Sequence, residues 1–196
     1  MPYANHTSRL RSDMRFRRTF IFVDLSGFTD YTENFGDGAA AQLLANFRGV
    51  ARAVGSHQGV RIDKYLGDGL MAVAVEAEDG ITFAMMLQRN AAVSCAPLSL
   101  RIGIATGDTM LFEGQDYIGS APNMAARLCD AAAGVGTLIP LDQAIDLPVG
   151  VYTVPHEPVV LPGFTQPIEV AILAGEPLID SRSDINEVWN RSPFVG

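Results

Sequence analysis

The chain has one lysine, one tryptophan, two cysteines and three histidines among its 196 residues, and its acidic residues outnumber its basic ones by 22 to 14. Each scarcity narrows the function. Cys95 and Cys129 make no metal-type spacing and read as small buried hydrophobes of a reducing compartment. His6, His57 and His156 are scattered, which favours structural roles. A net charge of −8 argues against a general nucleic-acid surface, since such binding needs a basic footprint. The one basic cluster is Arg9, Arg11, Arg15, Arg17 and Arg18, read as a solvated leader over residues 1–17, with a membrane-surface or partner-binding arm as the other reading. No apolar stretch of adequate length follows it to make a signal peptide, and no run approaches the roughly 20 apolar residues of a membrane span. The expectation is a soluble, cytoplasmic, globular chain, with 48% apolar residues to build a core.

The single lysine is the most informative of these scarcities. Thirteen of the fourteen basic residues are arginine, so Lys64 marks a position where a compact ammonium serves and a planar guanidinium does not. It sits in Asp63-Lys64-Tyr65-Leu66-Gly67-Asp68-Gly69, four residues before a carboxylate in a turn.

Periodicity orders the rest. Thr19 to Val23 reads as a strand ending at Asp24, and Ser26-Gly27 signals a strand-to-helix passage. A helix is expected over about 37–55, then a hairpin of Val60–Tyr65 and Leu70–Val75 around a Gly-containing turn. Asp79 is expected to cap a helix over 80–91. Leu98–Ala105 and Met110–Phe112 read as a third and fourth strand, and an alanine-rich helix follows over 121–132. Short strands occupy 137–174, and 175–196 is a polar tail containing Trp189. The order predicts an α+β fold of ferredoxin-like type, with helices on a mostly antiparallel sheet.

Several side chains could carry chemistry. Asp24 ends the first strand and Asp68 sits in the hairpin turn, so both could reach one rim and hold a hard divalent cation, or two, through oxygen. Singly, each has a plainer explanation: a residue before a helix cap, and ordinary Asp-Gly turn chemistry. Phe28 and Thr29 open a helix whose free N–H groups would suit a phosphate at that rim. Asn123 and Arg127, four apart, share a helix face. That face could be merely solvated, but an arginine there could stabilise charge growing on phosphorus. Asp116 could be a loop carboxylate. Paired with Lys64, it would read adenine, the ammonium donating to N1 and the carboxylate accepting from the N6 amine. Guanine would present two mismatches, worth roughly 30- to 10⁴-fold discrimination.

These residues resemble the class III nucleotidyl cyclase catalytic domain. The resemblance rests on Phe22-Val23-Asp24-Leu25-Ser26-Gly27-Phe28-Thr29, on Lys64-Tyr65-Leu66-Gly67-Asp68-Gly69, and on Arg101-Ile102-Gly103-Ile104-Ala105-Thr106-Gly107. It continues through Asp116 to Arg127, and through Leu161-Pro162-Gly163-Phe164 followed by Ile168-Glu169-Val170. It covers residues 18–174. It implies Asp24 and Asp68 as metal ligands for two Mg2+ or Mn2+ ions, and Lys64 and Asp116 as an adenine-type base-selecting pair. It further implies Asn123 as the ribose-orienting residue and Arg127 as the transition-state stabiliser. The implied activity is conversion of ATP to 3′,5′-cyclic AMP and pyrophosphate in a homodimer with composite sites. Pro162 departs from the pattern, which often has a basic residue there for the terminal phosphates. Two alternatives remain: a non-catalytic nucleotide-binding or regulatory relative, and a metal-dependent phosphohydrolase that would leave Lys64 and Asp116 idle.

Overall fold

The computed structural model describes residues 15–114 and 116–178. The expected leader's Arg9 and Arg11, and the tail's Trp189, lie outside the described residues. The elements run β1 (Phe16–Ser26), α1 (Phe28–Gln58), β2 (Arg61–Leu66), β3 (Gly69–Ala74), α2 (Ala77–Ser94), β4 (Ser99–Phe112), β5 (Asp116–Ile118), α3 (Ser120–Ala131), β6 (Thr137–Pro140), β7 (Val151–Pro155) and β8 (Val170–Gly175). The sheet order is β2-β3-β1-β4-β6-β8-β7, with β5 hydrogen-bonded to the distal end of β4. Only the β4–β6 pairing is parallel. The expected α+β class with a mostly antiparallel sheet is what the chain adopts.

Strand alternation assigns the two faces. Ile21, Val23 and Leu25 of β1 join Leu43 and Phe47 of α1 and Phe83 and Leu87 of α2 in one core. Phe20 of the same strand packs with Met71, Val73, Ala105, Ala121 and Ala125 on the opposite face, under α3. A β-strand turns successive side chains to opposite sides, so one apolar run serves both cores. Residue 103 must be glycine for α3 to lie where it does. A Cβ there would stand 2.1 Å from the Ala125 carbonyl oxygen and 2.2 Å from the Cys129 nitrogen, both backbone atoms of α3.

Several expected boundaries move. The first helix starts at Phe28 rather than near 37, and breaks from helical geometry only at Gly36, with φ 80° and ψ 167°. Its polar first segment, Thr29 to Asn34, hides a one-sided contact: Phe28 and Tyr31 are the residues packed on the core. Asp79 does not cap the second helix. Glu76 occupies that position, and Asp79 stands in the first turn, where a negative charge suits the helix dipole. The expected third and fourth strands are one strand. Residues 106–109, left between them, continue the strand: the Thr106 hydroxyl pairs with that of Thr19 at 2.7 Å and its N–H donates to Gln143 Oε1 at 2.7 Å. Asp116, expected in a loop, lies in β5 opposite Phe112. Arg17 and Arg18 belong to β1 rather than to a leader, opposite Asp108 and Gly107.

Candidate active site

β1 runs two residues past Asp24, where the sequence predicts its end, and the antiparallel register sets Asp24 directly across from Arg101 of β4. Arg101 Nε donates to Asp24 Oδ2 at 2.8 Å, and its terminal nitrogen lies 2.6 Å from the same oxygen. On the other side, the β2–β3 turn closes against β1. A Cβ on Gly69 would meet the Val23 carbonyl oxygen at 2.6 Å and Asp24 Oδ1 at 3.0 Å, so only glycine lets the turn come this near. The turn therefore carries Asp68 alongside Asp24, as the sequence predicts. Arg48 of α1 braces it, donating to the Gly67 carbonyl at 3.0 Å while its guanidinium lies over the Tyr65 ring at 4.7 Å.

Burial pushes the Asp24 carboxyl above its ordinary range, and the negative charge of Asp68 adds to the rise; the Arg101 hydrogen bond opposes both. Two like charges at one rim, one of them half withdrawn from water, fit a hard cation better than they fit each other. Among the described residues no group of three or more His, Cys, Asp or Glu side chains forms a metal cluster. Asp24 and Asp68 are two carboxylates, fewer than such a cluster, so an ion held between them would need other oxygens to complete its shell. Cys129 is close enough to feel Asp24, but burial first and that charge second push its thiol up to about 12. It stays a neutral thiol that donates to the Arg101 carbonyl, which fits the structural role read from sequence.

Lys64 and Asp116 meet as expected. Lys64 Nζ donates to Asp116 Oδ1 at 2.8 Å, across 52 residues of sequence. That hydrogen bond, followed by the charges of Asp116 and Asp63, holds the ammonium above its ordinary pKa. Asn123 and Arg127 project from α3 into one hollow of about 520 Å³, lined also by Ser120, Ala126, Pro162, Gly163 and Phe164. Arg127 is half exposed, with Asp130 at 3.6 Å, so its head is less tied than a well-packed helix implies. Phe28 turns its ring into the core, leaving its main chain at the rim, and Thr29 is exposed. No side chain caps the first turn of α1. A larger hollow, about 670 Å³, opens at the far end of β1 around Arg17, Arg18, Glu76 and Asp142. It contains none of the site residues expected from the sequence, and its lining mixes both charges.

Arg101 has no role in the sequence reading. Its signal was an arginine alternating with Leu100, Ile102 and Ile104 in a strongly apolar strand; its partner was invisible without the register.

No family model matches the chain. An adenylyl cyclase of P. aeruginosa, CyaB, superposes with a TM-score of 0.67 at 24% identity, over 87% of this chain and 97% of that one. The guanylyl cyclase Cya2 gives 0.66 at 22%, over 83% and 93%. The fold is that of a nucleotide-cyclase catalytic domain. In sequence, the chain is 33% identical over 147 residues to an uncharacterised protein of Mycobacterium tuberculosis, covering 75% of this chain and 38% of that protein. It is 30% identical over 118 residues to an adenylate cyclase of Streptomyces coelicolor, covering 60% and 31%. The chain thus spans well under half the length of the curated relatives it matches. No described helix is long and apolar enough to cross a membrane.

Proposed function

We propose that the chain is an adenylate cyclase catalytic domain, converting ATP to 3′,5′-cyclic AMP and pyrophosphate in a homodimer with composite sites. The observation that carries this reading is the 2.8 Å pairing of the sole lysine with Asp116. A donor and an acceptor held side by side match the N1 and N6 edge of adenine and mismatch that of guanine. Cyclase folds accompany both adenylyl and guanylyl activities, so base choice rests on this pair.

Asp24 and Asp68 would hold two divalent cations, Mg2+ or Mn2+, which when bound supply Lewis-acid activation of the ribose 3′-hydroxyl and neutralise the triphosphate. Asn123 orients the ribose for in-line attack on the α-phosphorus. Arg127 meets the charge that develops on the α-phosphoryl oxygens; a guanidinium has donors and no acceptor, so it serves there as a charge and not as the base. Phe28 and Thr29 offer uncapped main-chain N–H groups to phosphate oxygens at the start of α1. Arg101, held against Asp24, would supply near the triphosphate the positive charge that Pro162 does not. A second copy supplies Lys64, Asp116, Asn123 and Arg127 to the metal-bearing rim of the first. Supporting this, β4 and β5 expose Leu111, Phe112 and Ile118 beside Asp116, an apolar surface on the strand pair that carries the base-reading carboxylate.

The test is product identity by mass detection with ATP and GTP side by side, in Mn2+, across protein concentrations. Cyclic AMP from ATP, with specific activity rising with concentration, supports the reading. Cyclic GMP from GTP in preference, orthophosphate, or no product with either nucleotide overturns it.

A further inference from the structure

The edge strand β2 carries one more charged residue that the roles above leave unused. Its pairing with β3 slips between Ile62 and Lys64: Ile62 stands opposite Ala72 and Lys64 opposite Met71. Asp63 is therefore the extra residue of a β-bulge, a device that re-aims side chains. Burial records where they go. Ile62 and Tyr65 both pack against the core under α1 and α2, although residues three apart in a regular strand face opposite ways. The bulge absorbs the difference by turning Asp63 and Lys64 together to the α3 side.

The Asp63 side chain is only 3% exposed. Its Oδ1 lies 3.1 Å from the Arg61 guanidinium and its Oδ2 lies 3.8 Å from Lys64 Nζ. The ammonium thus stands between two carboxylates of different character. Asp116 is 69% exposed and free to turn, whereas Asp63 is set in a strand and shielded from water. When a purine arrives, Asp116 must point an oxygen at the exocyclic amine and loosen its hold on the lysine. A flexible four-carbon side chain then needs another anchor to keep its donor at the ring nitrogen.

We propose that Asp63 is a positioning residue that holds the Lys64 ammonium at the purine-reading position while the base engages Asp116. This rests on the adenine-reading assignment above. It also states what makes a lone lysine specific: a bulge that supplies a second, shielded anion. The charged groups acting on Lys64 are Asp116 and Asp63, with Arg61 behind Asp63.

Having a single lysine makes the test direct. Protein carrying 13C at lysine Cε yields one side-chain resonance, and its pH titration reports Lys64 alone. Asp63→Asn should move the titration midpoint to lower pH and cut the kcat/KM preference for ATP over GTP by about two- to fivefold, mostly through KM, the size expected for one partly exposed ion pair. Asp63→Glu, which keeps the charge but displaces it by one methylene, should retain the midpoint and part of the preference; it also serves if Asp63→Asn does not fold. An unchanged midpoint in Asp63→Asn overturns the proposal, leaving Asp63 as the partner of Arg61 only. A shifted midpoint with an unchanged nucleotide preference overturns it too. If the wild-type protein itself shows no preference for ATP, the adenine-reading assignment fails instead. The lysine titration then still decides whether Asp63 holds the ammonium.

Discussion

Gly103→Ala adds one methyl group far from any reacting atom, and the structure says where it would go. The new carbon would sit 2.1 Å from the Ala125 carbonyl oxygen, 2.2 Å from the Cys129 nitrogen and 2.8 Å from the Leu128 carbonyl carbon. All three are backbone atoms of α3, so no rotamer change relieves the clash. The helix must retreat by about 1.3 Å to take the closest contact from 2.1 Å to the 3.4 Å of ordinary contact, at an overpacking cost of about 1–3 kcal/mol. For a domain of this size that lowers Tm by roughly 3–10 °C. The retreat also displaces Asn123 and Arg127, and a misplacement of about 1 Å can cost on the order of 100-fold in turnover. Asp24 and Asp68 sit on β1 and the hairpin, so the rise in Tm produced by Mn2+ should survive. Thermal melts with and without Mn2+, alongside kcat for cyclic AMP formation, separate the two effects. A soluble Gly103→Ala protein with wild-type Tm and kcat would refute the argument that α3 is held in place by the missing side chain.

Three further outcomes follow from the site. Because burial and the charge of Asp68 raise the Asp24 carboxyl pKa in the folded state, the stability due to its protonated form is present below the ordinary carboxylate value of 3.8 and is lost as pH rises through the higher folded value. Cation-free protein should lose stability over that interval relative to Asp68→Asn, while the Mn2+-induced rise in Tm grows; parallel melts of the two proteins across the interval would expose the opposite sign. Lys64→Glu combined with Asp116→Gly should erode the preference for ATP, and an unchanged ATP-to-GTP ratio in kcat/KM would rule out the base-reading assignment. Asp68→Ala and Arg127→Ala should each fold and be inactive alone, yet recover up to roughly a quarter of wild-type activity when mixed, since half the dimers would carry one intact composite site. No recovery on mixing, or full activity of Asp68→Ala alone, would exclude the shared metal-site arrangement.

Much of this protein was legible along the chain because its signals are local. The hairpin around Leu66 to Gly69, the apolar runs of β1 and β4, and the alanine-rich α3 each announce themselves within a few residues. Composition alone singled out Lys64. Signals that depend on a neighbour in space were lost. The continuity of β4 through 106–109 is one, since the Thr19 hydroxyl and Gln143 amide that satisfy Thr106 are 87 and 37 residues away. The start of α1 was missed because its polar surface outweighs the two aromatic residues that anchor it.

The sequence by itself determined the residue inventory of the site: which carboxylates, which arginines and which single ammonium are present, and which short motifs carry them. Tertiary structure decided what those groups do to one another. The β1–β4 register set Arg101 against Asp24, a glycine let Asp68 approach, and a one-residue slip in β2 turned Asp63 toward Lys64. The physical reason is that chemical identity resides in single residues, whereas electrostatic partnership falls off within a few ångströms, and only the folded sheet brings residues from strands far apart in sequence within that range.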